Sequence, residues 1–323
     1  MPLVFLKTSN FPIRSAVKDG LRAIDVSWAE LVWAAISVGK GSLAHMVQHG
    51  TYSMFEMVYR TAIIYANLLE MPDRFFGRSS AYSGLDPSEK GAISYFMGLT
   101  LTKAFVARSL NVPWLMHVDV YRQQFGVALI PSGGRPDLFG ADAAGNWVVA
   151  ESKGRTNGHD DVALIKAKVQ ASQVALISGV APSLSIGLVT SFSNGRLTLV
   201  ADDPPTEASD KGTEWWVERN QFRDVYYRPF KSLFENREVS EERILDRRVR
   251  TVRIDSSDLV VGLDDARMEE LGHREVGATG APVAHEMPLD TDDRAFLGID
   301  GIFVRLGDSW ERSLMRQEPQ ARR

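Results

Sequence analysis

The chain has 323 residues, of which 44% are hydrophobic and 24% charged, a composition typical of a globular protein. It contains no cysteine, which excludes disulfides, thiolate metal sites and a cysteine nucleophile. The formal net charge of -4 gives no global positive field, so contact with nucleic acid would need a local basic patch. No apolar run approaches the ~18 residues of a membrane span. The first residues also lack a signal-peptide pattern, so we expect a cytoplasmic protein without membrane contact.

The first 84 residues are predicted to form a helical region. Apolar residues recur at helical spacing within residues 25–70, and a second helical segment is predicted over Tyr52–Leu69. Residues 71–84 are rich in Pro, Gly and Ser, a composition that favours a linker. A domain boundary is therefore expected near residue 84.

Between residues 86 and 201 the pattern changes repeatedly between helix and strand. The run Asp86-Pro87-Ser88-Glu89 combines an N-cap, a proline at the first helical position and a carboxylate at the third, which predicts a helix ending near Leu110. The later elements are predicted as a strand or hairpin over 115–130, a turn over 137–140, a strand over 146–153, a helix over 160–178, and strands over 183–192 and 196–201 joined at Asn194-Gly195. This order predicts an α/β core with a mixed sheet.

Beyond residue 204 the pattern is weaker. A strand is predicted over Thr251–Val261 and an open loop over 274–294. Basic and aromatic residues are mixed from residue 219 to 253, a combination that can neutralise phosphates and stack on bases. Candidate nucleic-acid contacts in this stretch are Arg223, Arg228 and Lys231. The alternative is a packed amphipathic helix with a charged outer face.

The strand predicted at 146–153 ends in charged residues. Its apolar run continues directly into Glu151, Ser152 and Lys153, although burying an unpaired charge is costly. In a strand, residues two apart share a face, so Glu151 and Lys153 point the same way while the alternate residues point to the core. Upstream, Asp137 precedes a hairpin-length segment that would bring it beside Glu151. Two adjacent carboxylates repel each other unless a cation lies between them.

A divalent cation would resolve this repulsion. Two carboxylates and a backbone carbonyl, for which Ser152 is the natural donor, suit Mg²⁺. Lys153 could then orient or help to deprotonate an attacking water, or stabilise charge on a phosphorus centre. The set of residues therefore predicts metal-assisted phosphodiester hydrolysis.

At these positions the sequence resembles the PD-(D/E)xK nuclease superfamily. Pro136-Asp137 matches the first half of its motif, and Glu151-Ser152-Lys153 matches the second. The resemblance implies a restriction-endonuclease-like core, with a mixed central sheet flanked by helices, at residues 85–204. The flanking parts are then a helical region at 1–84 and an α+β extension at 205–323. The alternative is a surface hairpin in which the Glu and the Lys are merely paired.

The resemblance also implies roles for individual residues. Asp137 and Glu151 would be metal ligands, and Lys153 would be the catalytic lysine. The family commonly places a polar residue of the helix predicted at 160–178 near the metal or the phosphate, which makes Lys166 or Gln170 a supporting candidate. On that helix an apolar stripe is predicted from Val162, Ile165, Val169 and Leu176. A solvated helix edge is the alternative for the two polar residues.

Three further residues have two interpretations each. Glu89 could supply another carboxylate, as the first helix does in several subfamilies, but its place in a capping box explains it equally well. Arg155 and His159 follow the strand and could contact phosphate, or they could belong to an ordinary loop.

The sequence as a whole favours a Mg²⁺-dependent nuclease, with Mn²⁺ as an alternative metal and DNA as the expected partner. Restriction, anti-phage defence or repair would suit such an enzyme. One alternative is a non-catalytic module that keeps the nuclease fold to bind DNA or a partner protein. Another is a scaffold or sensor whose N-terminal helices mediate oligomers. A homodimer is an option, because many enzymes that cut both strands are symmetric dimers.

Overall fold

The structure, a computed structural model, describes residues 1–12, 17–38, 51–121, 135–203, 212–235, 237–274, 289–290 and 293–311. Up to residue 121 its elements are β1 (Leu3–Ser9), β2 (Gly20–Asp25), α1 (Trp28–Val38), α2 (Thr51–Asn67), β3 (Leu68–Glu70), β4 (Phe76–Arg78), α3 (Ser80–Gly84), α4 (Pro87–Leu110), β5 (Trp114–His117) and α5 (Val118–Tyr121). No helix in the described part of the chain is both long and apolar enough to cross a membrane.

The middle of the chain forms β6 (Leu138–Ala141), β7 (Trp147–Gly154), α6 (Asp161–Ala171), β8 (Val174–Ile177), β9 (Leu184–Ser193) and β10 (Arg196–Asp202). The last part forms β11 (Thr213–Trp215), α7 (Arg219–Glu235), β12 (Ser240–Ile244), β13 (Arg247–Ile254), β14 (Leu259–Asp264), α8 (Asp265–Arg274), β15 (Leu289–Asp290), β16 (Ala295–Leu297) and β17 (Ile302–Leu306). The chain is therefore a mixed α/β protein.

The central sheet has the strand order β2-β1-β10-β9-β7-β6-β5. Strand β7 runs parallel to β9 and antiparallel to β6, and β1 runs parallel to β10, so the sheet is mixed. Strands β3 and β4 pair with each other, and β4 joins the sheet beside β10. Strands β12 to β17 form a second sheet of order β12-β13-β14-β17-β16-β15, and β11 pairs with β8 in a separate two-stranded sheet.

Local sequence signals set several element boundaries. Helix α4 begins with the predicted capping box, in which Asp86 accepts from the Ser88 and Glu89 amides and Glu89 accepts from the Asp86 amide. The helix ends at Asn111, whose left-handed backbone closes the last turn. The predicted Asn194-Gly195 turn joins β9 to β10, and both residues have positive φ angles.

Helices α4 and α6 cover opposite faces of the central sheet. On one face Thr102 of α4 donates a 3.1 Å hydrogen bond to the Ser152 hydroxyl of β7. On the other face α6 approaches β9 so closely that a Cβ on Gly187 would lie 2.6 Å from the Lys168 amide. Because Glu151 lies opposite Gly187 in the parallel register, Glu151 and Lys153 are on the α6 face.

A fully buried polar network joins three helices, α1, α4 and α7, to the β16–β17 turn of the second sheet. The Asp300 carboxylate accepts hydrogen bonds from Tyr226 Oη (2.6 Å) and Trp33 Nε1 (3.0 Å), and its Oδ2 lies 3.7 Å from Lys103 Nζ. These four residues come from four different elements or turns along the chain. One hydrophobic cluster likewise includes residues from Val4 to Leu306. The three predicted segments therefore share a core.

The structure corrects the prediction that residues 1–84 are helical. Strands β1 and β2 belong to the central sheet, and the predicted linker at 71–84 contains β4 and α3. These strands were not predicted because β1 pairs with β10, almost 200 residues away, and such pairing leaves no local sequence signal.

Other predicted elements have different bounds. The predicted turn at 137–140 is mostly strand β6, and the predicted helix at 160–178 is α6 followed by β8. The predicted strand or hairpin at 115–130 is β5 and the short helix α5 up to residue 121, and residues 122–130 lie outside the described part. The predicted strand at 251–261 is two strands, β13 and β14, separated by a 3-10 turn at 255–257. Most of the loop predicted at 274–294 also lies outside the described residues.

The predicted apolar stripe on the helix after β7 is wrong. Val162, Ile165 and Val169 are 60%, 64% and 56% exposed. The buried face of α6 is instead formed by Ala163, Ala167 and Ala171 together with Leu164 and Lys168, and the helix packs close to the sheet.

Candidate active site

The β6–β7 hairpin brings the two predicted carboxylates together. Leu138 pairs with Ala150 in the antiparallel register, so the next pair outward is Asp137 with Glu151. The turn is held by the Asp142 side chain, which accepts from the Asn146 amide at 2.8 Å, and by Gly145 at a φ of 85°. The predicted fold-back of this segment is therefore confirmed.

Hydrogen bonds join the carboxylates and the lysine into one cluster. The Asp137 amide donates to Glu151 Oε2 at 2.6 Å, and the Ser152 amide donates to Asp137 Oδ2 at 3.2 Å. Lys153 Nζ contacts Glu151 Oε1 directly. Each carboxylate thus takes part of its hydrogen bonding from the backbone of the other strand, which fixes its position.

Burial changes the acidity of both carboxyl groups. Glu151 is 1% exposed, and burial together with the charge of Asp137 raises the pKa of Glu151 to about 8. Burial also raises the pKa of Asp137, with a further contribution from Asp119, although Lys153 and the Ser152 amide oppose the change. Two neighbouring carboxylates with raised pKa values are the electrostatic condition that a bound cation would relieve.

The donor set suits a hard divalent cation. No group of three or more His, Cys, Asp or Glu side chains fit to hold a metal occurs among the described residues, so the side-chain donors here are two carboxylates. Mg²⁺ is commonly held by one or two carboxylates, with water and substrate oxygens completing its shell. The residues present therefore fit this metal.

The Ser152 carbonyl is placed to be a further donor. The N–H and the C=O of a strand residue point to the same side of the strand, and the Ser152 N–H points to Asp137. Continuing the hairpin register sets Pro136 opposite Ser152. Because proline has no N–H, the sheet ladder offers no donor for that carbonyl at this position.

Four nearby residues were not identified from the sequence. Tyr95 Oη on α4 and His117 Nε2 at the end of β5 are 2.8 Å apart. Burial and the charges of Asp137 and Glu151 raise the pKa of Tyr95. Asp119 on α5 forms a 2.8 Å ion pair with Arg135. The closely spaced His117 and Asp119 at a strand end were a usable signal, whereas Tyr95 and Arg135 left none.

The supporting candidates separate into two groups. Gln170 on α6 lies beside the cluster, since its Nε2 donates to the Arg135 carbonyl at 3.5 Å, two residues before Asp137. Lys166 is exposed on the same helix. Glu89 serves the capping box at the start of α4. The structure thus brings Gln170 to the edge of the site and gives Glu89 a structural role.

Arg155 and His159 lie on the loop that leaves β7. Arg155 Nε donates to Asp160 Oδ2 at 2.9 Å, and His159 Nε2 lies 2.8 Å from Asp161 Oδ1. Both side chains remain partly exposed. Arg155 and His159 therefore lie on the surface beside the cluster, and each contacts a carboxylate of the loop or of α6.

The basic and aromatic stretch at 219–253 is a packed helix only in its first part, α7, and its last part forms strands β12 and β13. The aromatic side chains of α7 are buried, namely Phe222, Tyr226, Tyr227 and Phe230, so they are not available to stack on bases. Arg223 lies 4.1 Å from the Trp114 ring centre. Arg228 is exposed, and Lys231 is partly exposed at a separate cleft. The amphipathic-helix alternative therefore describes α7, but not residues 240–253, which form strands.

Comparisons with known proteins add no relative. The chain matches no protein-family model, no curated protein and no solved structure.

Proposed function

We propose that the protein is a metal-dependent nuclease that hydrolyses phosphodiester bonds, with DNA as the favoured substrate. The observation that carries this proposal is the contact set of Asp137, Glu151 and Lys153 on one hairpin, in which the buried Glu151 and the partly buried Asp137 both have raised pKa values. The order of elements also supports it. Helix α4, the meander β5-β6-β7, helix α6 and the parallel strand β9 follow the order that the resemblance to PD-(D/E)xK nucleases implies.

In this proposal Asp137, Glu151 and the Ser152 carbonyl hold Mg²⁺. When bound, the ion supplies Lewis-acid polarisation of the phosphate and lowers the pKa of bound water. The backbone amides that donate to both carboxylates keep these ligands in place before substrate arrives. With the repulsion between the carboxylates relieved, both are expected to be ionised at neutral pH.

Lys153 is the proposed catalytic cation. Its side chain is 25% exposed, so Nζ can reach an incoming phosphate while its stem stays packed on the sheet. Release of Nζ from Glu151 on metal binding would let it orient the attacking water or stabilise charge on the phosphate oxygens. The Tyr95–His117 pair lies within electrostatic reach of the same carboxylates. Restriction, anti-phage defence or repair would be compatible settings.

One observation favours a second candidate, a non-catalytic module that binds DNA or a partner protein. Lys153 already forms an ion pair with Glu151, so the charges can satisfy each other without a metal. Binding that is indifferent to Mg²⁺ would support this candidate.

A cleavage panel tests the proposal. Plasmid, linear duplex and single-stranded DNA, and RNA, are each incubated with Mg²⁺, Mn²⁺ or EDTA. The panel compares the wild type, Glu151→Gln and Glu238→Gln, the last being a matched change at an exposed glutamate. We expect metal-dependent cutting by the wild type and Glu238→Gln only, and the substrate that is cut defines the class. Equal cutting by all three would place the activity elsewhere, and binding without cutting in any metal would favour the second candidate.

A further inference from the structure

A cavity of about 360 Å³ lies among strands β1, β2, β9 and β10 of the central sheet. Its described lining residues come from β1, β2, the β9–β10 hairpin and the loop after β7. They are Phe5, Lys7, Leu21, His159, Ser193, Asn194, Arg196, Thr198 and Val200. The volume is at the lower end of the ~300–1,000 Å³ range of small-ligand sites. The pocket can therefore hold a group of about the size of one base and its phosphate.

The walls of the pocket are apolar and held in place. Phe5 stacks on Phe75 with ring centres 4.2 Å apart, and Arg196 lies 5.6 Å from the Phe75 ring centre. Asp73 fixes this Arg196 side chain with an ion pair of 2.5 Å. Leu21, which is 68% exposed, stands at the edge of the pocket. A flat apolar ring would gain contact area here without first having to order the walls.

The charge of the rim is suited to an anion. Three of the described lining residues are basic and none is acidic. Arg196 and His159 are each held by a carboxylate outside the lining, whereas Lys7 is exposed at the rim. The exposed Asn194 amide adds a hydrogen-bonding group. An apolar pocket with a cationic rim matches a ligand that carries a ring and a phosphate.

The pocket is close to the carboxylate cluster. His159 follows Lys153 by six residues, which limits their Cα separation to about 20 Å even for an extended chain. Val200 at the pocket and Val189, which lies opposite Lys153 in the register, belong to one apolar cluster under α6. A nucleic-acid strand at the cluster would reach the pocket within about six nucleotides at ~3.4 Å each.

We propose that this pocket receives one nucleotide unit, a base with its phosphate. The proposal rests on the proposed function, because it takes the unit to belong either to the substrate strand or to a free nucleotide bound beside the active site. Lys7 would contact the phosphate, and Phe5 and Leu21 would pack on the base. His159, a candidate phosphate contact from the sequence, lines the same pocket.

The test uses the 323-residue chain carrying the substitution Glu151→Gln, so that bound nucleic acid is not cut. Fluorescence anisotropy of a labelled single-stranded DNA of about 15 nucleotides is measured for Lys7→Glu and Leu21→Glu. The matched controls are Lys90→Glu, at a partly exposed lysine, and Val180→Glu, at an exposed valine, neither of which lines the pocket. A second arm titrates AMP, GMP, CMP and TMP against the same proteins. Circular dichroism checks that every variant is folded.

We expect Lys7→Glu to weaken oligonucleotide binding about tenfold through the lost phosphate contact. Leu21→Glu should weaken it at least about fivefold through the lost base contact, while both controls stay within about twofold of the parent. If oligonucleotide binding is weakened in this way and no free nucleotide binds, the nucleotide unit in the pocket belongs to the substrate strand. If the two substitutions weaken only the binding of free mononucleotides, the ligand of the pocket is a free nucleotide, and this result also supports the pocket proposal.

The pocket proposal is overturned if Lys7→Glu and Leu21→Glu bind the oligonucleotide and the mononucleotides as tightly as the parent protein does. It is also overturned if the parent protein binds neither kind of ligand. The proposed function is judged separately by metal-dependent cleavage of the protein with Glu151 intact. If the protein cleaves nucleic acid but Lys7→Glu and Leu21→Glu do not change binding, only the pocket proposal is rejected. If the two substitutions weaken binding but the protein with Glu151 intact cleaves no substrate, only the proposed nuclease function is rejected.

Discussion

Replacing Lys103 by methionine is expected to destabilise the whole fold, because Lys103 neutralises a carboxylate in the core. Lys103 and Asp300 are both 0% exposed, and Asp300 takes its other hydrogen bonds from neutral donors, Tyr226 Oη, Trp33 Nε1 and the Ile302 amide. Lys103→Met keeps the packed stem but removes the cation. Breaking a buried ion pair by removing one partner costs about 3–5 kcal/mol, since the other charge stays buried and uncompensated.

The pH dependence of this loss has a definite sign. Burial raises the pKa of Asp300, and Lys103 opposes that change. Without Lys103 the pKa of Asp300 rises further, so the native state of the variant takes up a proton more readily than the unfolded state. Its stability is then retained at low pH and lost as pH rises. We therefore expect a smaller difference from the wild type at pH 5 than at pH 7.5.

Urea unfolding of the wild type, both single variants and Lys103→Met/Asp300→Asn measures this coupling. Burial also lowers the pKa of Lys103 to about 8, so the charged lysine is itself costly to bury. The double variant removes both buried charges and should recover most of the stability lost in Lys103→Met. A Lys103→Met protein as stable as the wild type at both pH values, or additive single effects, would refute this reasoning.

Three further results are expected. In EDTA, Glu151→Gln should gain melting temperature relative to the wild type as pH rises from 5 to 9, because a carboxyl with a pKa of about 8 stabilises the native state only while it is protonated; a constant difference would instead indicate a structural ion pair. Gly154→Ala should cost at least about 1–3 kcal/mol in urea unfolding, because its Cβ would lie 1.9 Å from the Ser94 carbonyl oxygen, while Gly158→Ala, with open space around it, should be nearly neutral. Phe222→Ala should cost about 3–5 kcal/mol, since this ring packs against Phe139 and Trp147, whereas the 69% exposed Trp216 should tolerate alanine; a mild effect at Phe222 would contradict its place in the core.

Sequence reasoning predicted the features that depend on neighbouring residues. The capping box at Asp86 and Glu89 and the Asn194-Gly195 hairpin are set by local backbone chemistry, and both are present. The same holds for the fold-back of the hairpin that places Asp137 beside Glu151. In each case the interacting groups are within about fifteen residues of each other.

Features that depend on distant packing were not predictable. The parallel pairing of Phe5 with Thr198 has no local pattern, so the N-terminal strands were predicted as part of a helical region. On α6 the hydrophobicity of Val162 and Ile165 suggested the wrong buried face. The helix instead turns three alanines, Leu164 and Lys168 to the sheet, where Gly187 allows a close approach of the helix backbone. Hydrophobic periodicity cannot show this difference.

In the candidate site, too, the residues close in sequence were identified and a residue brought in by distant packing was not. Asp137, Glu151 and Lys153 were identified because they lie on one hairpin. Tyr95 was not identified, because α4 reaches the cluster only after the helix has packed on the sheet.

The single-turnover rate of substrate cleavage at saturating Mg²⁺, compared between the wild type and Glu151→Gln, tests the central claim most directly. Loss of a metal ligand should lower this rate by at least about a hundredfold, while the matched exposed variant Glu238→Gln stays close to the wild type. EDTA should abolish cleavage by the wild type. If Glu151→Gln cleaves as fast as the wild type, the cluster at Asp137, Glu151 and Lys153 is not the active site.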